Sequence, residues 1–326
     1  MQFYQFDKVK LFEKPTPLQK LENFGRHHGF DNLYMKRDDS MLLGLGGNKL
    51  RNLEYWLAQA KKEGADLIIA AGGLQSNQCR LTAAACAKLN LNCRIYHNDQ
   101  KPEKLEGNLL LNDLLGAQAV FLGAISEEER NIQVAQEVNR LREQGFRPYL
   151  IGDPALGALG YADSAFELVE QAQSLGLKFD HVFIVGAMNI TATGFLYGTA
   201  LLDAPFKVHV ISVEYPLKIM EKKIEEIWLQ LIELTGIEPQ KHYSRFALLS
   251  DDTLGSGYAE PTAQSRAAIR SLAAREGIFL EQVYGGKTLA GLLEKAKLGE
   301  ISGDQKICIF HTGGYGALFT QAEILQ

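Results

Sequence analysis

The chain is short of several things, and each shortage excludes a class of protein. No apolar run approaches the roughly 18 residues that a membrane-spanning helix needs, so no membrane association is expected. The first residues lack a basic segment followed by an apolar one, so no secretory signal is expected. Lysine and arginine (34) are outnumbered by aspartate and glutamate (39), giving a net charge of −5. Such a chain has no cationic excess to neutralise phosphates, which argues against a nucleic-acid partner. There are only four cysteines, Cys79, Cys86, Cys93 and Cys308, and no C-x-x-C pair. That pattern fits reduced thiols in the cytoplasm. The seven histidines form no H-x-x-x-H or Cys/His cluster, so no metal site is expected. Proline is scarce at nine, whereas glycine reaches 31 of 326. Extra glycine without extra proline points to tight turns and close backbone approaches, not to linkers.

What is present is an alternation of short β-branched runs with longer amphipathic segments. Strands are expected near 67–71, 93–96, 119–122, 147–151, 181–185, 208–213 and 307–310. Helices are expected over 76–89, 108–115, 126–144, 163–174, 191–202, 261–275 and 287–297, with a further one where Met220, Ile224, Ile227, Trp228 and Leu231 recur at helical spacing. Ser126-Glu127-Glu128-Glu129 is a capping-box signature. This rhythm predicts parallel-rich sheets with helices on both faces. In such α/β folds ligands bind beyond the carboxyl ends of strands, so the loops after strands are the informative ones.

Five of those loops carry glycine. Gly44-Leu45-Gly46-Gly47-Asn48-Lys49 lets backbone approach a ligand and ends on a lysine. It is neither a Walker loop nor G-x-G-x-x-G, which argues against a nucleotide-binding enzyme. The lysine could be a phosphate contact, a Schiff-base amine or a solvated surface residue. Gly72-Gly73-Leu74-Gln75-Ser76-Asn77-Gln78 leads a strand into a helix N-terminus, where free amides suit an anion, although Ser76 could simply cap the helix. Gly186-Ala187-Met188-Asn189-Ile190-Thr191 makes a similar strand-to-helix turn and is a candidate phosphate site. Val283-Tyr284-Gly285-Gly286-Lys287 and His311-Thr312-Gly313-Gly314 complete the set.

Taken together, "KRDD", "GLGGNKLRNLE", "GGLQSNQCRLTAAACA", "VYGGKTLAGL" and "HTGG" resemble the pyridoxal-phosphate enzymes of the 1-aminocyclopropane-1-carboxylate deaminase and D-cysteine desulfhydrase family, over about residues 12–321. The resemblance implies an α/β, two-domain, tryptophan synthase β-like fold (fold type II). It implies a larger cofactor domain from 1–51 plus 161–326 and a smaller inserted domain over 52–160. It implies pyridoxal 5'-phosphate as cofactor, a small amino acid as substrate, and a homodimer. By matching position, Lys49 is the lysine that carries the cofactor, and Asn77 contacts its phenolic oxygen. Ser76, with Asn77 and Gln78, lies beside the substrate carboxylate and is a candidate catalytic acid–base group. Tyr284 and Tyr258 are active-site tyrosines, and Thr312 lies near the pyridine nitrogen. Gly186, Ala187, Met188, Asn189, Ile190 and Thr191 form the phosphate cup.

Two departures shape the expectation. Deaminases of this family carry a glutamate after the active-site tyrosine, where this chain has Gly285. That shifts the expected activity toward β-elimination from D-cysteine. The alternatives are cyclopropane opening and a non-catalytic member that only binds cofactor. In the phosphate cup, Asn189 stands where glycine is usual, and Met188 and Ile190 are bulky. Asparagine tolerates positive φ better than most residues, so the turn is expected to survive.

Overall fold

Elements alternate almost throughout the computed structural model, which describes residues 5–325. In chain order they are β1 (Leu18–Lys20), α1 (Glu22–His28), β2 (Asn32–Arg37), α2 (Lys49–Lys62), β3 (Leu67–Ala71), α3 (Asn77–Leu89), β4 (Asn92–His97), α4 (Gly107–Leu114), β5 (Gln118–Phe121) and α5 (Glu127–Glu143). There follow β6 (Pro148–Leu150), α6 (Pro154–Ser174), β7 (His181–Gly186), α7 (Ile190–Leu201), β8 (Lys207–Ser212), α8 (Leu217–Thr235), β9 (Ala247–Ser250), α9 (Ala263–Glu276), α10 (Gly285–Lys297), β10 (Lys306–His311), and the short α11 (Tyr315–Leu318) and α12 (Ala322–Leu325).

The strands form two sheets. One has six strands in the order β1-β2-β10-β7-β8-β9, and the other has four in the order β5-β4-β3-β6. All pairings are parallel except β1 with β2. In β7, β8 and β10 every residue after the first is buried, as expected for parallel strands covered on both faces. One apolar cluster runs from Ile68 and Ile95 of the smaller sheet through Leu53, Trp56 and Phe195 to Val182 and Val208 of the larger. The two sheets therefore share a core. A second cluster packs α1, α9 and α10 on the far face of the larger sheet, around Phe24, Leu272 and Leu289.

The capping box at Ser126 is present, with Ser126 Oγ accepting from Glu129 N. One expected boundary is wrong. The helix placed at 163–174 starts at Pro154, with Asp153 as N-cap accepting from Leu156 N at 2.7 Å. Gly157 and Gly160 obscure that start, because glycine weakens a helical pattern. Both serve packing: a Cβ on Gly157 would overlap the Trp56 indole, and one on Gly160 would overlap the Arg51 carbonyl.

Candidate active site

Lys49 is the first residue of α2, and the loop before it is fastened to the ends of two strands. The preceding segment turns through Gly44 (φ 57°), Gly46 (φ 65°) and Gly47 (φ 130°), conformations that L side chains rarely adopt. A Cβ on Gly46 would also overlap the carbonyls of Asp39 and Met41. Gly47 bridges Gly313, and Asn48 N donates to Thr312 O at 3.0 Å, which fastens the loop to the end of β10. The side chain of Asn48 donates to Thr191 Oγ1 at 3.0 Å, which fastens it to the turn after β7. Burial pulls the Lys49 ammonium down to about 8, against a weaker opposing pull from Glu214. At that value roughly a tenth of the amine is neutral at pH 7, against well under a thousandth for an ordinary lysine. Lys49 is only partly exposed, which weighs against the solvated-surface alternative.

The second loop follows β3. Ser76 caps α3, with its Oγ accepting from Cys79 N at 3.3 Å. The cap uses an oxygen lone pair and leaves the hydroxyl proton available. Asn77 and Gln78 form the first turn of α3, and both are partly exposed.

The third loop follows β7. Asn189 has φ 63° and ψ 2°, so asparagine does adopt the turn expected of it. The first amide of this turn bonded back into the helix is Thr193 N, to Asn189 O at 2.8 Å. The amides before it lack intrahelical acceptors. Ile190 turns into the core, and Met188 is 46% exposed, so neither bulky side chain fills the cup. Both side-chain atoms of Asn189 and the hydroxyl of Thr193 are buried without a partner. Orphaned buried polar atoms beside free amides at a helix N-terminus fit a bound phosphate group.

The fourth wall is a tyrosine pair. Tyr258 Oη and Tyr284 Oη lie 2.5 Å apart. Burial pushes the hydroxyls of both up, so both stay protonated. Two buried charges hold the pair. Glu281 accepts from the amides of Val283 (2.7 Å), Tyr284 (2.9 Å) and Gly285 (2.8 Å), which closes the turn that presents Tyr284. Burial raises its carboxyl to about 7 in spite of those three bonds. Lys287 Nζ donates to Leu254 O at 2.7 Å and Gly257 O at 2.9 Å, which ties down the loop bearing Tyr258. Gly314 packs directly on Glu281, and a Cβ there would lie 3.6 Å from Asn77 Nδ2. That contact brings the α3, α10 and β10 loops to one point.

The structure thus gathers Lys49, Thr191 and Thr312 through Asn48, and Asn77 and Tyr284 through Gly314 and Glu281. Met188 lies outside this group, on the rim. Sequence reasoning missed Arg80, Asn108, Glu214 and Glu281, and named Lys287 in a candidate loop without giving it a role. No sequence signal marked Glu281: only the structure shows α10 beginning at Gly285, with Tyr284 as an N-cap whose side chain makes no cap bond. A helix without its own cap invites a carboxylate a few residues upstream.

A family model described as "Pyridoxal-phosphate dependent enzyme" matches residues 9–313. A D-cysteine desulfhydrase of Serratia proteamaculans (strain 568) is 36% identical, over 97% of this chain and 96% of that protein. A D-cysteine desulfhydrase of Klebsiella pneumoniae subsp. pneumoniae is 35% identical over the same shares. A crystal structure of an ACC deaminase homologue superposes with a TM-score of 0.89 at 32% identity, covering 99% of this chain and 96% of that one. Diaminopropionate ammonia lyase of Escherichia coli, at 18% identity and TM-score 0.70, covering 99% and 88%, shares the fold.

Proposed function

This chain belongs to the pyridoxal-phosphate-dependent enzymes and carries their tryptophan synthase β-like fold, and from that premise we propose that it is a lyase that converts D-cysteine to sulfide, ammonia and a 2-oxo acid. The likeness to D-cysteine desulfhydrases over nearly the whole of both chains carries the choice of substrate. The site's geometry supports the reaction type.

When bound, pyridoxal 5'-phosphate supplies an electron sink for negative charge developing at the substrate's Cα. Lys49 is the residue to hold it covalently. Its amine is uncharged more often than an ordinary lysine's, and among the described residues it makes no hydrogen bond or ion pair. Lys287, the other lysine of the site, already spends its amine on two carbonyls. The free amides before Thr193, with Asn189 and Thr191, suit the phosphate. Asn77 and Thr312 suit the polar atoms of the ring. The N-terminus of α3, with Ser76, Asn77 and Gln78, suits the substrate carboxylate. Lys49 Nζ, once free, can accept the proton lost from Cα. The paired hydroxyls of Tyr258 and Tyr284 can donate a proton to the departing sulfur and pass it between them.

Further parts of the proposal concern organisation. Residues 52–160 form the smaller inserted domain, which is supported by β3 to β6 all lying within them. A homodimer is a further part of the proposal, and Leu42 and Leu45, 96% and 47% exposed beside the lysine, are apolar residues that it would cover. Four free thiols support a reducing cytoplasm.

Cyclopropane opening is the second reading, favoured by the superposition on the ACC deaminase homologue. Gly285 in place of the deaminases' glutamate weighs against it. A pyruvate assay with D-cysteine, L-cysteine and 1-aminocyclopropane-1-carboxylate decides. The proposal expects D-cysteine to be turned over fastest. Faster release from the cyclopropane would reverse the ranking, and no release from any of them would leave a protein that binds cofactor without turnover.

A further inference from the structure

The Asn77 amide is gripped from one side. Its Oδ1 accepts from Asn108 Nδ2 at 2.9 Å and from Arg80 Nη2 at 3.4 Å. Two donors on the oxygen turn the NH2 edge the opposite way. That edge faces Gly314, and among the described residues it has no acceptor.

The two gripping residues are themselves fixed. Asn108, buried in the first turn of α4, also donates through Nδ2 to Gln75 O at 2.8 Å, and its amide donates to Gln75 Oε1 at 2.9 Å. Arg80, fully buried in α3, donates to Gly44 O and to Gly46 O (3.2 Å), the carbonyls of the loop that carries Lys49. Its Nε has no partner, and among the described residues no carboxylate lies within ion-pair distance of it. Burial alone draws the guanidinium down to about 10, so it stays charged at neutral pH. None of Asp38, Asp39, Lys49, Glu214 and Glu281 forms an ion pair with it. A buried cation without a counter-ion is costly, and an anion placed beside it offsets part of that cost.

We propose that Arg80 and Asn108 are positioning residues that aim the Asn77 NH2 at an anionic oxygen of the bound cofactor, with the uncompensated charge of Arg80 favouring the deprotonated oxygen. The inference rests on Asn77 being a cofactor contact. It accounts for an arginine buried without an acid: the charge is completed when the cofactor is in place, and the same side chain ties the lysine loop to the helix that carries Asn77.

The test uses the full chain loaded with pyridoxal 5'-phosphate. Two quantities are read for the parent, Asn77→Ala, Asn108→Ala, Arg80→Gln and Arg80→Lys. One is the cofactor dissociation constant from equilibrium dialysis, and the other is the pH midpoint of its visible absorbance change. Asn77→Ala and Asn108→Ala should each weaken binding about tenfold, the loss of one charge-assisted hydrogen bond. Arg80→Gln should raise the pH midpoint by about one unit, because removing a nearby cation favours protonation. Arg80→Lys keeps the charge and should move it less. A purely structural role for Arg80 would lower the melting temperature and leave the midpoint within about 0.2 unit, which overturns the proposal. If Arg80→Gln does not fold, Asn108→Ala decides, and binding within about twofold of the parent overturns the proposal. If Asn77→Ala changes nothing, the reading of Asn77 fails first and the positioning proposal with it.

Discussion

At the scale of single residues, the site depends on buried groups whose protonation is set by their surroundings. Tyr258→Phe removes the 2.5 Å hydrogen bond to Tyr284 from a half-exposed residue. It should lower kcat on D-cysteine by about 10- to 100-fold, the range for one proton-transfer group, and leave the melting temperature nearly unchanged. Steady-state pyruvate release beside a thermal melt checks both halves. Glu281 gives a pH signature. Its carboxyl is raised to about 7 in the folded chain, above its unfolded value. Between the two values the folded chain binds the extra proton, so this group's contribution to stability falls as pH rises through that window. The loss is on the order of 3 kcal/mol. Glu281→Gln should flatten that part of the stability profile, which urea titrations from pH 5 to 8 would show. Glycines and strand ends mark the loops that hold Lys49, Ser76, Asn77, Tyr284 and Thr312, but only the likeness to family motifs gave those residues roles. Arg80 and Lys287 were not legible as site residues. Nothing in a one-letter sequence separates a buried cation bonded to carbonyls from a solvated one.

At the scale of elements, the turn after β7 and the helix pair α6–α7 carry the strongest constraints. Asn189 sits at φ 63°, where glycine is at ease and alanine is strained. Asn189→Gly should keep the turn and its stability but weaken cofactor binding about tenfold, because the side-chain contact to the phosphate is lost. Asn189→Ala should cost about 1 kcal/mol of stability and weaken cofactor binding, as dialysis and denaturant unfolding would report. Gly194 of α7 lies on the Ala158 carbonyl of α6, and an added Cβ would overlap it. Gly194→Ala should therefore destabilise by about 1–3 kcal/mol, read from the urea midpoint. The strands and helices from β3 onward were mostly legible, because buried parallel strands read as β-branched runs. The beginning of α6 was hidden by Gly157 and Gly160, which serve contacts with Trp56 and Arg51 instead of local helix propensity. β1 and β9 are three- and four-residue edge strands, too short to show a period.

At the scale of the whole molecule, the site lies where two sheets share one core, and a buried ionic network fixes that junction. Arg51 of α2 bonds Asp38, beyond β2, at 2.7 Å and Glu167 of α6 at 2.9 Å, while Lys36 of β2 bonds Glu167 at 2.5 Å. Burial pushes the Glu167 carboxyl up, but Arg51 and Lys36 outweigh it and hold the group well below the usual carboxylate range. Its contribution is therefore present above the unfolded pKa and is lost as pH falls below it. Glu167→Leu leaves two buried cations short of a partner and should cost about 3–5 kcal/mol at pH 7, measurable by denaturant unfolding. Sequence showed the "RDD" and "NKLR" residues that build this network but not their meeting, because Glu167 lies more than a hundred residues away along the chain. The central claim is that Lys49 is the residue that holds the cofactor, and one measurement addresses it most directly. The protein is loaded with pyridoxal 5'-phosphate, reduced with borohydride, digested and sequenced by mass spectrometry. A reduced cofactor adduct on Lys49, absent from Lys49→Ala, is the predicted result. An adduct on Lys287, or an unmodified Lys49 in a yellow protein, would contradict the account.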